Sequence, residues 1–131
     1  MNSLWTQVKA GALIAVVIFA VSGCAGLAPK APEEAVKERA QARWDALVRG
    51  DFKAAYAFLS PGSRAVEPEA DYVSSLRRNF WKSARVETVT CTEQRCEVGA
   101  SIEYELQGRR TTTPLRETWI REGSEWWYVA R

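Results

Sequence analysis

The sequence predicts an α+β fold in which three N-terminal helices are followed by a four-stranded antiparallel meander. Two observations carry this prediction. Apolar residues recur at helical spacing from residue 32 to about residue 81, and after Ser83 the apolar period changes from 3.6 to 2. The chain has 131 residues, of which 47% are hydrophobic, and this length suits one domain.

The first helix is predicted over Pro32–Arg49. Pro32 suits the first helical position, acidic residues follow it at the positive end of the helix dipole, and Gly50 ends the helix. The face that this helix buries is predicted from apolar residues at helical spacing, which are Val36, Ala40, Trp44, Leu47 and Val48.

Two shorter helices are predicted next. Asp51 suits the N-cap of the second helix, whose apolar stripe continues to a stop at Ser60-Pro61-Gly62. The third helix is predicted to begin at Pro68 and to stop near Trp81. The side chains that it buries are predicted to be Tyr72, Val73, Leu76 and Phe80.

Four strands are predicted after Ser83. The clearest alternates apolar and polar residues from Glu97 to Leu106, which indicates one buried and one solvated face. The other three strands are predicted within Ala84–Cys91, Thr111–Arg121 and Trp126–Arg131. Turns are predicted at Thr92–Arg95, Gly108-Arg109 and Gly123-Ser124.

The N-terminal residues are typical of an export signal. Lys9 precedes an uncharged apolar stretch, and Val21-Ser22-Gly23-Cys24 resembles the bacterial lipoprotein box. The resemblance implies cleavage of residues 1–23, lipidation of Cys24 and, because no aspartate follows Cys24, a place in the outer membrane with the domain in the periplasm. The alternative is an uncleaved membrane anchor, although Ala10–Gly23 is shorter than the ~20 residues that span a bilayer. Residues 24–31 then form a tether of at most ~25 Å.

The other two cysteines, Cys91 and Cys96, are predicted to form a disulfide. An exported chain lies in an oxidising compartment, and their spacing suits the two ends of a hairpin loop. A structural zinc ion would need four ligands, and the chain has no histidine. A redox-active pair usually has Cys-x-x-Cys spacing. We therefore expect a structural disulfide and neither a metal nor a cofactor.

The hairpin registers predict a candidate pocket. Cys91 is expected to oppose Cys96, Leu106 to oppose Thr111, and Arg121 to oppose Trp126. These pairings place the candidate pocket residues on one face, and they are Glu87, Ala100, Glu117, Trp119 and Tyr128. The two glutamates would then lie ~9 to 10 Å apart and suit a cationic or polyhydroxylated ligand.

Two alternatives to this acidic pocket remain open. A bulge of one residue would turn both glutamates outward. An arginine, either Arg85 or one on a helix, would otherwise pair with them in a structural ion pair.

The opposite face of the last hairpin is a candidate interface. The same registers place four residues there, and they are Thr118, Ile120, Trp127 and Val129. A tryptophan on a solvated face favours a homodimer or an envelope protein partner. The alternative is a tryptophan ring that lies flat over its neighbours.

Three segments carry a resemblance to a known superfamily. They are Trp44–Tyr56, Leu59–Arg64 and Trp119-x-x-Glu-Gly-x-x-Trp126. They resemble the nuclear transport factor 2-like superfamily, which includes ketosteroid isomerase-like and polyketide cyclase-like proteins and small envelope lipoproteins. The resemblance implies that residues 32–131 fold as a cone, with a curved sheet wrapped around helices and a pocket. It leaves the activity open, because members include enzymes, ligand binders and dimerisation modules.

The amino-acid composition argues against several classes of function. Without histidine the chain lacks Ser-His-Asp and Cys-His catalysis, and a net charge of +2 gives no case for nucleic acid. Asp45 and Asp71 are expected to lie away from the apolar faces of their helices, and Asp51 is expected to cap a helix. We therefore expect a lipid-anchored, non-catalytic binding or accessory domain. The alternatives are an isomerase-type or cyclase-type enzyme that uses Glu87 or Glu117, and a structural homodimerisation module.

Overall fold

A computed structural model of the chain describes residues 28–131. The predicted signal peptide and Cys24 lie outside the described residues. The helices are α1 (Pro32–Arg49), α2 (Phe52–Tyr56), α3 (Pro61–Val66) and α4 (Glu69–Ser75). The strands are β1 (Trp81–Thr92), β2 (Arg95–Leu106), β3 (Arg109–Glu122) and β4 (Glu125–Val129). The α+β class and the four-stranded antiparallel sheet are confirmed.

Helix α1 has the predicted bounds. Gly50 ends it in the left-handed region at φ 76°, where its N–H donates to the carbonyls of Ala46 and Leu47. The next turn begins at once, because the side chain of Asp51 accepts from the N–H of Ala54 and caps α2. Local capping thus fixes the junction between the two helices.

The expected stop at Ser60-Pro61-Gly62 is wrong, because this segment starts a helix. The hydroxyl of Ser60 accepts from the N–H of Ser63 at 3.1 Å, and Pro61 occupies the first turn of α3. Serine followed by proline is an N-cap followed by N1, where the missing proline N–H has no cost. The described residues therefore contain four helices and not three.

The expected extension of the last helix to Trp81 is also wrong. Helix α4 ends at Ser75, and Leu76 is already extended. The hydroxyls of Ser74 and Ser75 donate to carbonyls three residues earlier and compete with the helical hydrogen bonds. Asn79 then adopts φ 61° in the turn before β1, which begins at Trp81 and not at Ala84.

The sheet has the order β1-β2-β3-β4, so each strand pairs with its sequence neighbour. The predicted pairings of Cys91 with Cys96 and of Arg121 with Trp126 are confirmed. The β2–β3 pairing differs by two residues, since Leu106 opposes Arg109 across the tight turn Gln107-Gly108, where both residues have positive φ. An even shift leaves every β3 side chain on its predicted face.

Both edges of the sheet have partners. On β1, the side-chain amide of Gln41 in α1 donates to the carbonyl of Ala84 and accepts from the N–H of Val86. On β4, Tyr128 exchanges backbone hydrogen bonds of 2.7 and 2.8 Å with Ser60 and Phe58. Gln41 thereby occupies the place of a missing strand and fixes α1 against the sheet.

The core lies between α1 and one face of the sheet, which we call the inner face. Helix α1 contributes Val36, Ala40 and Trp44, and the inner face contributes alternate residues of the strands. The fully buried side chains of the sheet include Val98, Cys96 and Trp119. Within residues 28–131, no helix is long and apolar enough to cross a membrane.

Candidate ligand-binding cavity

A cavity of about 180 Å³ lies at the end of the core where the C-terminal half of α1 meets α4. Helix α1 supplies Arg43, Trp44 and Leu47, and Tyr72 and Leu76 close the opposite side. The remaining lining residues are Glu67, Ser75, Trp81, Tyr128, Ala130 and Arg131. Helix α1 is held against β1, and β4 is held by the segment before α3, so most of the wall lies on helices and strands, whereas Glu67, Leu76, Ala130 and Arg131 lie outside them.

A buried ion pair forms one wall of this cavity. Arg43 Nη1 donates to Glu117 Oε1 at 2.7 Å, and the two side chains are 7% and 1% exposed. Trp119 Nε1 donates to the other carboxylate oxygen at 3.1 Å. The guanidinium carbon lies 3.6 Å from the ring centroid of Tyr128. The carboxylate is thus neutralised and hydrogen-bonded on both oxygens, which is what burial of a charge requires.

Three polar atoms around the cavity are buried and have no hydrogen-bond partner among the described residues. They are Arg43 Nε, Trp44 Nε1 and the hydroxyl oxygen of Tyr72. All three residues line the cavity and are at least nine-tenths buried. Leaving one such group unpaired costs ~1 to 3 kcal/mol, so three together at one cavity are unusual in a native fold.

The two tyrosines of the cavity are protonated at neutral pH. Burial raises the pKa of Tyr72 above its ordinary value of 10.0, and the charge of Arg43 opposes this rise only in part. Burial likewise raises the pKa of Tyr128, again against the effect of Arg43. A phenol that keeps its proton is a hydrogen-bond donor and not a base. Both phenols can therefore donate a hydrogen bond to a molecule in the cavity.

The structure corrects the predicted position of Glu87. A bulge between Val86 and Thr88 places Val86, and not Glu87, opposite Ala100. Glu87 is consequently exposed on the other face of the sheet, in a polar groove with Ser101 and Thr112. A bulge adds one residue to one strand, which reverses the faces on one side of it. The expected pair of inward-facing glutamates is therefore wrong.

The other candidate pocket residues lie on the inner face. Ala100, Glu117 and Trp119 are buried, and Tyr128 lines the cavity. Glu117 forms the helix-borne ion pair that was the alternative to an acidic pocket. Sequence reasoning missed Arg43, Trp44 and Tyr72 as cavity donors.

The candidate interface residues lie at and beside β4. Thr118 is buried, where its hydroxyl donates to Glu97 at 3.2 Å. The Trp127 ring is half-buried, with the guanidinium carbons of Arg39 and Arg64 at 5.3 and 5.2 Å from its centroid. Cation–π contacts of this kind cover an indole without a partner chain. Ile120 and Val129 line a groove of about 580 Å³ beside α3.

The predicted disulfide is present between Cys91 and Cys96. It joins β1 to β2 at the hairpin that lies near the start of α1, with Cys96 fully buried below it. Neither cysteine lines the cavity, and we assign the disulfide a structural role.

Comparisons with known proteins bear on the fold. No family model matches the chain, and no curated protein matches it in sequence. A SEC-C motif containing protein from Psychrobacter arcticus aligns with a TM-score of 0.62 at 10% identity, over 79% of this chain and 63% of that one. One from Rhodopseudomonas palustris aligns with a TM-score of 0.57 at 15% identity, over 67% and 70%. A Campylobacter jejuni protein described as an NTF2-like transpeptidase gives 0.51 at 11%, over 73% and 98%. At these identities the likeness is one of fold alone.

Proposed function

We propose that the chain is a non-catalytic binding domain whose cavity takes a small, uncharged molecule with a carbonyl or similar acceptor oxygen. One observation carries the proposal: three buried, unpaired polar groups line the same cavity. Indole and guanidinium N–H groups only donate, and a protonated phenol also donates. An acceptor oxygen in the cavity would offer a hydrogen-bond partner to these donors, which is why the ligand is expected to present one.

The charge of the cavity favours an uncharged ligand. Glu117 already neutralises Arg43, and the two other charged lining residues, Glu67 and Arg131, have opposite signs. An anion entering the cavity would lose its hydration and would meet the negative charge of Glu67 as well as the positive charge of Arg131. The volume of about 180 Å³ is below the ~300 to 1,000 Å³ typical of sites for drug-sized ligands, so the molecule is expected to be small.

The same residues argue against the enzymatic alternative. Glu87 is exposed on the outer face, and both oxygens of Glu117 accept hydrogen bonds from Arg43 and Trp119. Neither carboxylate is placed to accept a proton from a molecule in the cavity. The raised pKa values of Tyr72 and Tyr128 leave both phenols protonated, which suits binding better than base catalysis.

The setting that we propose is the periplasmic side of a bacterial outer membrane. Lipidation of Cys24, with residues 24–31 as a tether, would hold the domain within ~25 Å of the bilayer. The fold proposed for residues 32–131 is a nuclear transport factor 2-like cone. The alignment with the NTF2-like structure supports this fold, and the disulfide, which suits an oxidising compartment, supports this setting.

Native mass spectrometry of the full chain, extracted in mild detergent from its own envelope, tests the function. We expect a retained small molecule, which Tyr72→Phe and Trp44→Phe each reduce. Tyr104→Phe is the matched control, because Tyr104 stacks on Phe80 and does not line the cavity. A wild-type protein that carries no small molecule, or equal occupancy in all variants, would contradict the proposal. The same spectrum reads the mass of any lipid on Cys24.

A separate NMR experiment tests whether the cavity prefers an uncharged ligand. The indole proton of Trp44, assigned by its loss in Trp44→Phe, is expected to shift in the NMR spectrum on addition of acetamide. Sodium acetate is the matched charged probe and is expected to leave it unmoved. A larger shift with acetate than with acetamide would contradict the uncharged class while leaving a binding cavity in place.

Pairing with a second copy is the second candidate function. The groove beside Ile120 and Val129 favours it, since Val66 on its rim is 86% exposed. Trp127→Glu and Val66→Glu are expected to convert a dimer to a monomer in sedimentation velocity. A wild-type protein that already sediments as a monomer would contradict this candidate.

A further inference from the structure

A second apolar depression adjoins the cavity, with which it shares Ser75, Leu76 and Trp81, and it lies at the tip formed by the β2–β3 turn and the segment before β1. We call it the tip groove. It has a volume of about 340 Å³, and its lining residues are Ser75, Leu76, Arg77, Phe80, Trp81 and Leu106. Leu106 is 50% exposed, although it is a large apolar residue. The walls are rigid, because Phe80 stacks on Tyr104 with centroids 5.2 Å apart and packs edge-on against Trp81.

Positive charge is concentrated around this groove. Arg77, Arg78 and Arg109 are exposed and form no salt bridge with any described carboxylate. Two further cations nearby, Lys82 and Arg110, already pair with glutamates of β2. No acidic residue lines the groove. Of these three arginines, Arg77 lines the groove and Arg109 opposes Leu106, whereas Arg78 donates to the Gly50 carbonyl.

The tip groove lies far from the N-terminal end of α1. Near its N-terminal end, α1 contacts the β3–β4 hairpin through Arg39, which binds the Trp126 carbonyl and Glu125. At its other end, Gly50 lies beside Arg78. The 18 residues of α1 separate these two ends by ~27 Å. The arginines are therefore not beside the predicted tether, where lipid headgroups would be expected.

The shape of the tip points to a polypeptide partner. A membrane surface is recognised by apolar side chains that project into it, whereas Phe80 and Trp81 are half-buried in the walls of a depression. A depression of this size accepts one or two large apolar side chains from a partner. From the concave apolar walls and the unpaired arginines, we infer that the tip groove binds an acidic protein segment that inserts a large apolar side chain.

Selection of random peptides displayed on phage, with the full chain in detergent as target, tests this inference. We expect enriched peptides to combine a large apolar residue with several acidic residues. Binding of the best peptide, measured by fluorescence anisotropy, is expected to weaken at least about tenfold in Arg77→Glu/Arg109→Glu, since two attractive contacts become repulsive. Leu106→Ser is expected to weaken it as well. Arg121→Glu is the matched control, because Arg121 is an exposed, unpaired arginine of β3 at the opposite end.

Each outcome of this experiment either supports or overturns the inference about the tip groove. Enrichment of neutral or basic peptides, no enrichment, or equal weakening by Arg121→Glu would overturn the inference. Dioctanoylphosphatidylglycerol, a soluble anionic lipid, is the second probe. Tighter binding of this lipid than of any selected peptide, abolished by Arg77→Glu/Arg109→Glu, would overturn it in favour of a membrane surface. Thermal unfolding of each variant separates lost binding from lost folding, and Leu106→Ser, at a half-exposed site, is expected to fold.

Discussion

Breaking the buried pair between Arg43 and Glu117 should destabilise the fold strongly. The two side chains are 7% and 1% exposed, so removal of either charge leaves the other one buried and uncompensated. Such a change costs ~3 to 5 kcal/mol, a large part of the ~5 to 15 kcal/mol that stabilises a typical domain. We expect Arg43→Met and Glu117→Gln each to lower the free energy of unfolding by this amount. Methionine keeps the apolar stem of the arginine, and glutamine keeps the shape of the carboxylate.

The double variant isolates the interaction from the loss of packing. Arg43→Met/Glu117→Gln has no buried charge, and the amide oxygen still accepts from Trp119 Nε1, which now donates to Glu117 at 3.1 Å. Its remaining cost is one buried amide donor, ~1 to 3 kcal/mol. Independent effects would instead sum to ~6 to 10 kcal/mol. The double variant is therefore expected to be more stable than either single variant.

Urea denaturation at neutral pH, followed by tryptophan fluorescence, measures all four proteins of this cycle. Arg95→Gln and Glu97→Gln provide the control pair, since Arg95 and Glu97 form a salt bridge with side chains 59% and 45% exposed. Exposed pairs contribute ~0 to 1 kcal/mol. A double variant whose cost equals the sum of its two singles, or a buried pair no more costly than this exposed pair, would refute the reasoning.

Three further predictions concern stability. The contribution of Tyr72 and Tyr128 to the free energy of unfolding should stay level with rising pH until about pH 10 and then fall, because the folded state keeps two phenol protons that the unfolded chain loses; Tyr72→Phe should reduce this fall in urea titrations and leave the part due to Tyr128, and an unchanged slope would contradict the cause. Cys91→Ala/Cys96→Ala should cost only ~2 kcal/mol in thermal unfolding, because the disulfide closes a short loop; abolished folding would contradict this role. Gly99→Ala should cost ~1 to 3 kcal/mol, because the new Cβ would lie 2.5 Å from Thr88 Oγ1; the cost should shrink in a Thr88→Ala background, and equal costs in both backgrounds would rule out this clash.

Local signals were sufficient for much of the fold. The bounds of α1 follow from a proline, a glycine and one apolar stripe, all of which act within a few residues of one another. The pairing of Cys91 with Cys96 and of Arg121 with Trp126 follows from tight turns that fix the register. The β2–β3 register was displaced by two residues, but period-2 alternation preserved the face of Glu117.

The features that could not be predicted from the sequence depend on contacts between residues far apart in the chain. The bulge at Glu87 has no local marker in β1 such as a glycine or proline, and it lies between the Cys91–Cys96 pair and the contacts of Gln41 with Ala84 and Val86. Between the Val86–Ala100 pair and the Cys91–Cys96 pair, β1 has one residue more than β2. The position of this extra residue turns Glu87 outward, so the lining of the candidate pocket could not be predicted from the pattern of β1 alone.

The ion pair itself had a signal that pattern reasoning can use. Arg43 lies seven residues after Val36, three after Ala40 and four before Leu47, so it occupies the apolar stripe of α1 rather than its solvated face. Glu117 likewise occupies an inward-facing position of β3, two residues before Trp119. Helix α1 and strand β3 thus each place one charge on a buried face, and the two charges have opposite signs, as a neutral buried ion pair requires. Once Arg43 is placed in the core, only one of its donors is needed for Glu117. Its other N–H groups need further acceptors, and Nε has none among the described residues, so the ion pair leaves a donor at the cavity.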